Sequence, residues 1–168
     1  AGIIHIHDMD YAAQNTLHNC CLINLDDMLQ NGTVVNGVSI DKPHRLSTAM
    51  TIATQIIAAV ASSQYGGTTI TLTHLAPFVR LSHDRFKNKY INWGFDEDVA
   101  EKMAAIDTKK EVSDAVQTLN YQLNSLTTTN GQAPFVSVAM YLGETEEYKD
   151  ELAMLIEEVL NQRIKGMK

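Results

Sequence analysis

Two adjacent thiols, Cys20 and Cys21, are the side chains of this sequence best suited to redox or radical chemistry. They open a short apolar run, residues 20–25, which stops at an acidic pair and predicts a β-strand. Because successive side chains of a strand point to opposite faces, at most one thiol can face a given site. The alternative is that both are small buried apolar residues. Two neighbouring cysteines cannot build a disulfide framework, so we expect a reducing, cytoplasmic location.

A pair of imidazoles, His5 and His7, is the second candidate. Both lie on one face of a predicted strand at residues 3–7, a spacing that some metal hydrolases use. A zinc site needs further ligands, and the other histidines are scattered along the chain without a second cluster. We therefore predict no metal site and favour a hydrogen-bonded structural pair. A metal-dependent hydrolase based on these two histidines is kept as an alternative.

Two glycine-containing segments would allow the backbone to approach a phosphate closely. They are residues 66–69, Gly-Gly-Thr-Thr, and residues 130–132, Asn-Gly-Gln. Neither continues into the Gly-Lys-Ser/Thr of a P-loop, and most such segments are merely turns, so both are weak signals. These candidates alone indicate nothing more specific than an α/β domain that handles nucleotides.

The composition excludes several classes of protein. The chain is 45% hydrophobic and 20% charged, which is typical of a globular protein and not of a disordered one. Its 13 basic and 20 acidic residues give a net charge of −7, which argues against a nucleic-acid partner. No apolar run approaches the roughly 20 residues of a membrane helix, and no signal segment is present, so no membrane partner is predicted.

The elements that would position these residues alternate between strands and helices. An Asn-Gly pair at residues 36–37, close to flanking valines, predicts a hairpin. Residues 68–73 fit either a strand or the capped start of a helix. Few strands separated by long helices predict an α/β architecture with parallel strands. Helices are predicted at residues 43–63, 110–126 and 146–165, and a further strand at residues 135–140. Another helix is predicted with Pro77 in its first turn.

The predicted helix at residues 43–63 is the most hydrophobic element. Pro43 suits its first turn, and Asp41 suits a cap or an acidic first-turn position. The apolar stripe of this helix is wider than a surface helix needs. We therefore expect the helix to be buried on two sides, against its own sheet and against something else.

Five segments of the chain, taken in order, resemble anaerobic (class III) ribonucleoside-triphosphate reductases. Each segment alone is a weak signal, but several spaced motifs in the right order make the resemblance specific. It spans essentially the whole chain. The segments are residues 4–11, 19–25, 64–69, 130–135 and 161–166.

The resemblance implies a glycyl-radical enzyme built on a ten-stranded α/β barrel, which is made of two parallel half-sheets. Residues 1–168 would then be a single piece of that catalytic barrel domain, its N-terminal half. The family's N-terminal nucleotide-binding cone, which takes ATP, and its C-terminal glycyl-radical region would lie outside this piece. The glycyl radical would therefore be a cofactor of the parent enzyme, and we expect the chain to be inactive alone.

The implied reaction replaces the ribose 2′-hydroxyl of a ribonucleoside triphosphate with hydrogen, after a thiyl radical removes the 3′-hydrogen. A second thiol suits the delivery of hydrogen, because its S–H bond is weak and its proton mobile. Cys20 matches the family's cysteine on the first barrel strand, and Asn19 beside it would hold the substrate. Cys21 would then point away, into the layer between sheet and helices.

The family selects its substrate through a nucleotide effector, ATP or a deoxyribonucleoside triphosphate, bound at a dimer interface. The helix at residues 43–63 matches the element of that interface, which implies a homodimer, and a radical-generating activase is a further implied partner. Asp41 and Gln55 fall at effector-contacting positions and Arg85 at a basic one. Asp41 is shorter than the expected glutamate, and Arg85 replaces a lysine. A non-catalytic nucleotide-binding or dimerisation module is the remaining alternative.

Overall fold

The computed structural model describes residues 20–63, 66–128 and 131–166. They form an α/β unit with a three-stranded parallel sheet, a two-stranded hairpin and long helices. The strand predicted around residues 5 and 7 lies outside the described residues. The elements are β1 (Cys21–Leu22), α1 (Leu25–Gln30), β2 (Thr33–Val35), β3 (Val38–Ile40), α2 (Leu46–Ala61), β4 (Thr68–Thr71), α3 (Ala76–Asn92), α4 (Glu97–Ser125), β5 (Val136–Ala139) and α5 (Lys149–Lys165), with 3-10 turns at Leu72–Leu75 and Leu142–Glu144.

The parallel sheet has the strand order β1-β4-β5, so its strands are added in one direction along the chain. Crossovers between parallel strands are right-handed almost without exception, so such a sheet keeps its connecting helices on one face. The hydrophobic core joins residues of α2, α4 and α5 to Ile70 of β4. On the opposite face Leu22 is 67% exposed, and Ser137 and Ala139 are also exposed. The predicted parallel α/β architecture is therefore confirmed, and its one-sided helical layer is compatible with part of a barrel.

The hairpin predicted from the Asn-Gly pair is formed by β2 and β3. Val35 pairs with Val38 across a two-residue loop. Both loop residues have positive φ angles, 52° for Asn36 and 80° for Gly37, as a type I′ turn requires. Local turn chemistry therefore sets the register of this ribbon.

Two glycines near the hairpin offer a matched test of backbone strain. Gly32 and Gly37 both have a φ of +80°, but a Cβ on Gly32 would lie 2.8 Å from the Ile40 carbonyl oxygen, whereas one on Gly37 would meet no atom within 4 Å. We expect Gly37→Ala to lower the free energy of unfolding by about 1–2 kcal/mol through its left-handed conformation alone. Gly32→Ala should lose roughly 1–3 kcal/mol more, because the added methyl group meets backbone. Urea unfolding of both variants checks this, and equal losses would contradict it.

Strand β1 is shorter than the strand predicted at residues 20–25. The ladder extends to Ile23, whose N–H donates to the Thr69 carbonyl at 2.9 Å. Asn24 then ends the extended segment, since its side-chain oxygen accepts a hydrogen bond from the Asp27 N–H at 3.4 Å and caps α1. Leu25 is fully buried as the first residue of a helix rather than as part of a strand. A short apolar run does not distinguish these two forms of burial.

Helix α2 begins at Leu46, so the prediction that Pro43 lies in its first turn is wrong. Asp41 is not its cap either. Arg45 occupies the N-cap position in an extended conformation and makes no side-chain cap hydrogen bond.

The start of α2 is capped by two distant helices. The Leu46 N–H donates to Ser82 Oγ of α3 at 2.8 Å, and the Ser47 N–H donates to Glu111 Oε1 of α4 at 3.0 Å. These bonds satisfy N–H groups that a local cap would otherwise serve. The boundary of the helix is thus set by tertiary contacts rather than by its neighbours in sequence.

The wide apolar stripe of α2 is covered within the chain. Part of α2 packs on the sheet, and part packs on α4, where the Thr54 hydroxyl donates to Gln122 Oε1. The expected burial on two sides is found, but α4 supplies the second side, so the stripe gives no support for a partner subunit. The exposed residues of α2 include Thr48 and Gln55. Its buried residues are Leu46, Ala49, Met50, Ile52, Ala53, Thr54, Ile56, Ile57 and Ala61.

Residues 68–73 combine the two alternatives that the sequence leaves open. They begin as β4, which ends at Thr71. The Thr71 hydroxyl then accepts a hydrogen bond from the Thr73 N–H at 3.4 Å and caps the 3-10 turn. Helix α3 follows directly, with Pro77 in its first turn as predicted.

Helix α4 has 29 residues, so the prediction of residues 110–126 recovers only its C-terminal part. In the N-terminal part the buried side chains are small, namely Ala100, Ala104 and Thr108. A periodicity of large apolar residues is therefore missing there, although the small side chains let α3 pack closely on α4.

Helix α5 is held on the core by a charged contact with α3. The Arg80 guanidinium donates to Glu151 Oε1 through Nε at 2.6 Å and to the Glu147 carbonyl at 2.6 Å. It also lies 4.5 Å from the centre of the Tyr148 ring.

In the described ranges, no helix is long and apolar enough to cross a lipid bilayer.

Candidate active site

The amino ends of the parallel strands bring together three segments that are far apart in sequence. The Cys21 N–H donates to the Gly67 carbonyl at 3.2 Å, and the Thr68 N–H donates to the Phe135 carbonyl at 2.8 Å. The Thr68 hydroxyl donates to the same carbonyl at 3.0 Å. The described residues of three segments that resemble the reductases, residues 19–25, 64–69 and 130–135, therefore meet at one edge of the sheet.

The two cysteines differ in exposure, as expected for neighbouring side chains on opposite faces of a strand. Cys20 is exposed, whereas Cys21 is half-buried and packs against the hydrophobic core. Cys21 also lines an apolar cavity of about 360 Å³ between the hairpin and α2, together with Val35 and Ile56. Both thiols are free. Because side chains alternate along the strand, Cys20 lies on the open face of the sheet with Leu22.

The open face next to Cys20 has room for a ligand. Leu22, Thr69 and Ser137 form one row across β1, β4 and β5. Two of these three side chains are small hydroxyls, which donate and accept hydrogen bonds and leave space above the sheet. The arrangement suits a thiol that acts on a hydroxyl-rich molecule lying on this face.

Asn19, the predicted substrate-binding residue, lies outside the described residues, as do the histidines at positions 5 and 7. Its predicted role depends on its place beside Cys20 in the sequence and stays a prediction.

The three predicted effector-binding residues are exposed, but they do not form one cluster within the chain. Asp41 precedes α2 by a few residues, and Arg85 lies one turn after Ser82, which contacts the start of α2. Gln55 lies nine residues beyond Leu46, about 13 Å along the helix axis. Within the described part of the chain, the side chains of Asp41, Gln55 and Arg85 make no hydrogen bonds or ion pairs. Their charged and polar groups are thus available to an outside molecule.

A hydrogen-bonded cluster around the Glu144 carboxylate lies at the opposite, carboxyl edge of the sheet and was not predicted from the sequence. Glu144 Oε2 accepts hydrogen bonds from the hydroxyls of Thr71, at 2.5 Å, and Thr73. Its pKa is lowered, first by the bond from Thr71 and then by that from Thr73, with a further contribution from His74. The cluster ties the end of β4 to the 3-10 turn that follows β5. Among the described residues, no group of three or more His, Cys, Asp or Glu side chains is placed to hold a metal ion.

This cluster predicts a pH-dependent stability. The folded state lowers the pKa of Glu144 below its ordinary 4.5, so the stabilisation is complete above that pH and is lost as the pH falls through the folded value. We expect Glu144→Gln to flatten the acid side of the profile of unfolding free energy against pH. Glu146→Gln is the control, because that exposed carboxylate has only a 3.5 Å contact with Lys149. Urea unfolding between about pH 6 and pH 3 measures both profiles. Unchanged acid sensitivity in Glu144→Gln would contradict the prediction.

Comparison with known proteins shows which family contains this chain. A family model described as anaerobic ribonucleoside-triphosphate reductase matches residues 1–168. The anaerobic ribonucleoside-triphosphate reductase of Escherichia coli (strain K12) is 40% identical over 168 residues, which cover 99% of this chain and 23% of that protein. The protein of the same name from Enterobacteria phage T4 is 36% identical over 169 residues, covering 99% and 27%. The chain thus spans about a quarter of the length of these curated relatives. The matches over its whole length establish that the chain belongs to the anaerobic ribonucleoside-triphosphate reductase family.

Proposed function

We propose that this chain supplies the reducing thiol of an anaerobic ribonucleoside-triphosphate reductase, which converts ribonucleoside triphosphates to deoxyribonucleoside triphosphates. The observation that carries this proposal is the meeting of three family-like segments at one edge of the sheet, with the Cys20 thiol exposed on the open face. Cys20 would return hydrogen to the ribose C2′ as the 2′-hydroxyl leaves, and Asn19 would hold the substrate. The glycyl radical of the parent enzyme, carried outside residues 1–168, would supply the radical that starts the reaction.

The fold supports a place for this chain in a ten-stranded barrel. Its strands are added in one direction, and its core helices lie on one side of the sheet. A doubly wound sheet would instead place helices on both faces. In the proposed half-barrel, the open face with Cys20 becomes the barrel interior, and the helical layer becomes its outer wall.

A chimera tests this proposal. The matching 168 residues of the Escherichia coli relative are replaced by this chain, and deoxyribonucleotide formation is measured under anaerobic conditions with the activating system of that relative. We expect turnover by the chimera and none by the isolated chain. A folded chimera that binds nucleoside triphosphates without turnover would favour a non-catalytic nucleotide-binding module, and turnover by the isolated chain would contradict the proposed division of the site.

The proposed enzyme acts in the cytoplasm as a homodimer, with a radical-generating activase as a second partner. ATP or a deoxyribonucleoside triphosphate would bind at the interface formed by residues 43–63. There Asp41 offers a carboxylate for ribose hydroxyls, Gln55 an amide for base edges, and Arg85 a guanidinium for phosphates. Their separation within one chain is the reason to invoke two subunits, because a symmetric pair brings distant residues of the two copies together.

The amide of Gln55 gives a direct test of this effector site. We expect Gln55→Ala in the chimera to weaken the effect of a deoxynucleoside triphosphate on substrate preference by about fivefold or more, while unstimulated turnover is largely kept. Thr48→Ala, on the exposed part of the same helix, is the control. Effector titrations with each of the four ribonucleotides measure the preference. An unchanged preference profile would remove Gln55 from the site.

A further inference from the structure

A polar groove runs between the C-terminal halves of α4 and α5. Its volume is about 460 Å³, and its lining includes Asn120, Tyr121, Asn124, Gln162, Arg163 and Lys165. It shares no lining residue with the cysteine edge or with the three predicted effector positions. Pockets of roughly 300–1,000 Å³ hold small organic ligands, so the groove has room for one compact molecule.

The floor of the groove is a hydrogen-bonded network rather than an apolar seam. Gln162 Nε2 donates to the Ser113 carbonyl and to Glu158 Oε1, both at 2.8 Å. Gln162 Oε1 in turn accepts a hydrogen bond from Asn120 Nδ2 at 3.3 Å. Such a network fixes the orientation of its amides.

The same network leaves carbonyl acceptors for a ligand. Asn120 uses its Nδ2, and Asn124 donates its own Nδ2 to the Asn120 backbone carbonyl at 2.7 Å. Within the described residues, the side-chain Oδ1 atoms of both asparagines have no donor. Two fixed carbonyl oxygens on one groove therefore favour a ligand that carries an amino group.

A flat ring and two cations complete the groove. The Tyr121 side chain lines it and is 64% exposed, so one face of the ring is accessible for stacking. Arg163 and Lys165 line it as well, and they have no carboxylate partner among the described residues. In a chain with a net charge of −7, two unpaired cations beside a polar groove favour an anionic ligand.

We propose that this groove is a binding site for a nucleoside monophosphate whose base carries an exocyclic amino group. The base stacks on Tyr121 and donates to the asparagine carbonyls, and the phosphate lies between Arg163 and Lys165. This site is separate from the catalytic edge and from the proposed effector site, so it goes beyond the proposed function and does not depend on it.

Calorimetric titration of the protein with adenosine 5′-monophosphate tests the site. The comparison ligands are adenosine, inorganic phosphate and uridine 5′-monophosphate, whose base lacks the amino group. The groove variants are Arg163→Ala and Tyr121→Ala, both at exposed positions. The controls are Lys109→Ala, an exposed cation of α4 outside the groove, and Arg85→Ala, which removes the basic group of the proposed effector site.

We expect adenosine 5′-monophosphate to bind more tightly than each comparison ligand, and each groove variant to weaken its binding about tenfold, as for the loss of one charge-assisted or stacking contact. The controls should bind like the unmodified protein. Equal binding of inorganic phosphate, or no binding at millimolar concentration, would overturn the inference. Loss of binding in Arg85→Ala but not in Arg163→Ala would also overturn it, while leaving the proposed function in place.

Discussion

Replacing Cys20 by serine in the chimera should abolish deoxyribonucleotide formation, while the radical on the parent enzyme still forms. A serine O–H bond is far stronger than a thiol S–H bond, so the hydroxyl cannot deliver hydrogen to the ribose. Cys21→Ser should retain most of the activity. Its side chain faces the core and the cavity beside α2, so the added hydroxyl costs about 1–3 kcal/mol of stability rather than chemistry.

The two cysteine variants form a matched pair, because they make the same chemical change at neighbouring positions on opposite faces of one strand. Product formation and the electron paramagnetic resonance signal of the radical are measured for both. If Cys21→Ser were inactive and Cys20→Ser active, the proposed roles of the two thiols would be reversed.

Phe78→Ala should produce a large loss of stability. Phe78 has no exposed surface and belongs to the core that joins the sheet to the helices. Truncating a buried phenylalanine removes its transfer free energy and leaves a cavity, at a cost of about 3–5 kcal/mol.

Phe135→Ala is the matched control for this prediction, because that side chain is 69% exposed and its structural hydrogen bonds use only the backbone carbonyl. Its free energy of unfolding should change by less than about 1 kcal/mol. Urea unfolding followed by circular dichroism compares the two variants. Similar losses would mean that Phe78 is not a core residue.

Features of the fold that depend on local chemistry were predictable from the sequence. The Asn-Gly pair at residues 36–37 specifies its hairpin, and Pro77 marks the first turn of α3. The start of α2 was not predictable, because Ser82 and Glu111 cap it from helices that are remote in sequence. The N-terminal part of α4 was missed because small residues replace the large apolar side chains that reveal a helical face.

In the candidate site, too, the features set by local geometry were predictable and those set by distant contacts were not. The opposite facing of Cys20 and Cys21 follows from strand geometry and needs no knowledge of the fold. The cluster around Glu144 required two segments more than 70 residues apart to meet, as the contacts from Thr71 and Thr73 show. The sequence around Glu144 contains no pattern that predicts hydrogen bonds to such distant threonines.

The central claim is that the open face at the amino edge of the sheet is where the ribose lies, next to Cys20. The most direct measurement uses the active chimera and a ribonucleoside triphosphate with a thiol-reactive haloacetyl group on the ribose 2′ position, followed by peptide mass spectrometry. We expect stoichiometric labelling of Cys20, suppressed by excess natural substrate, with Cys21 unmodified. Labelling of Cys21 in preference to Cys20, or labelling of Cys20 that substrate fails to suppress, would contradict the claim.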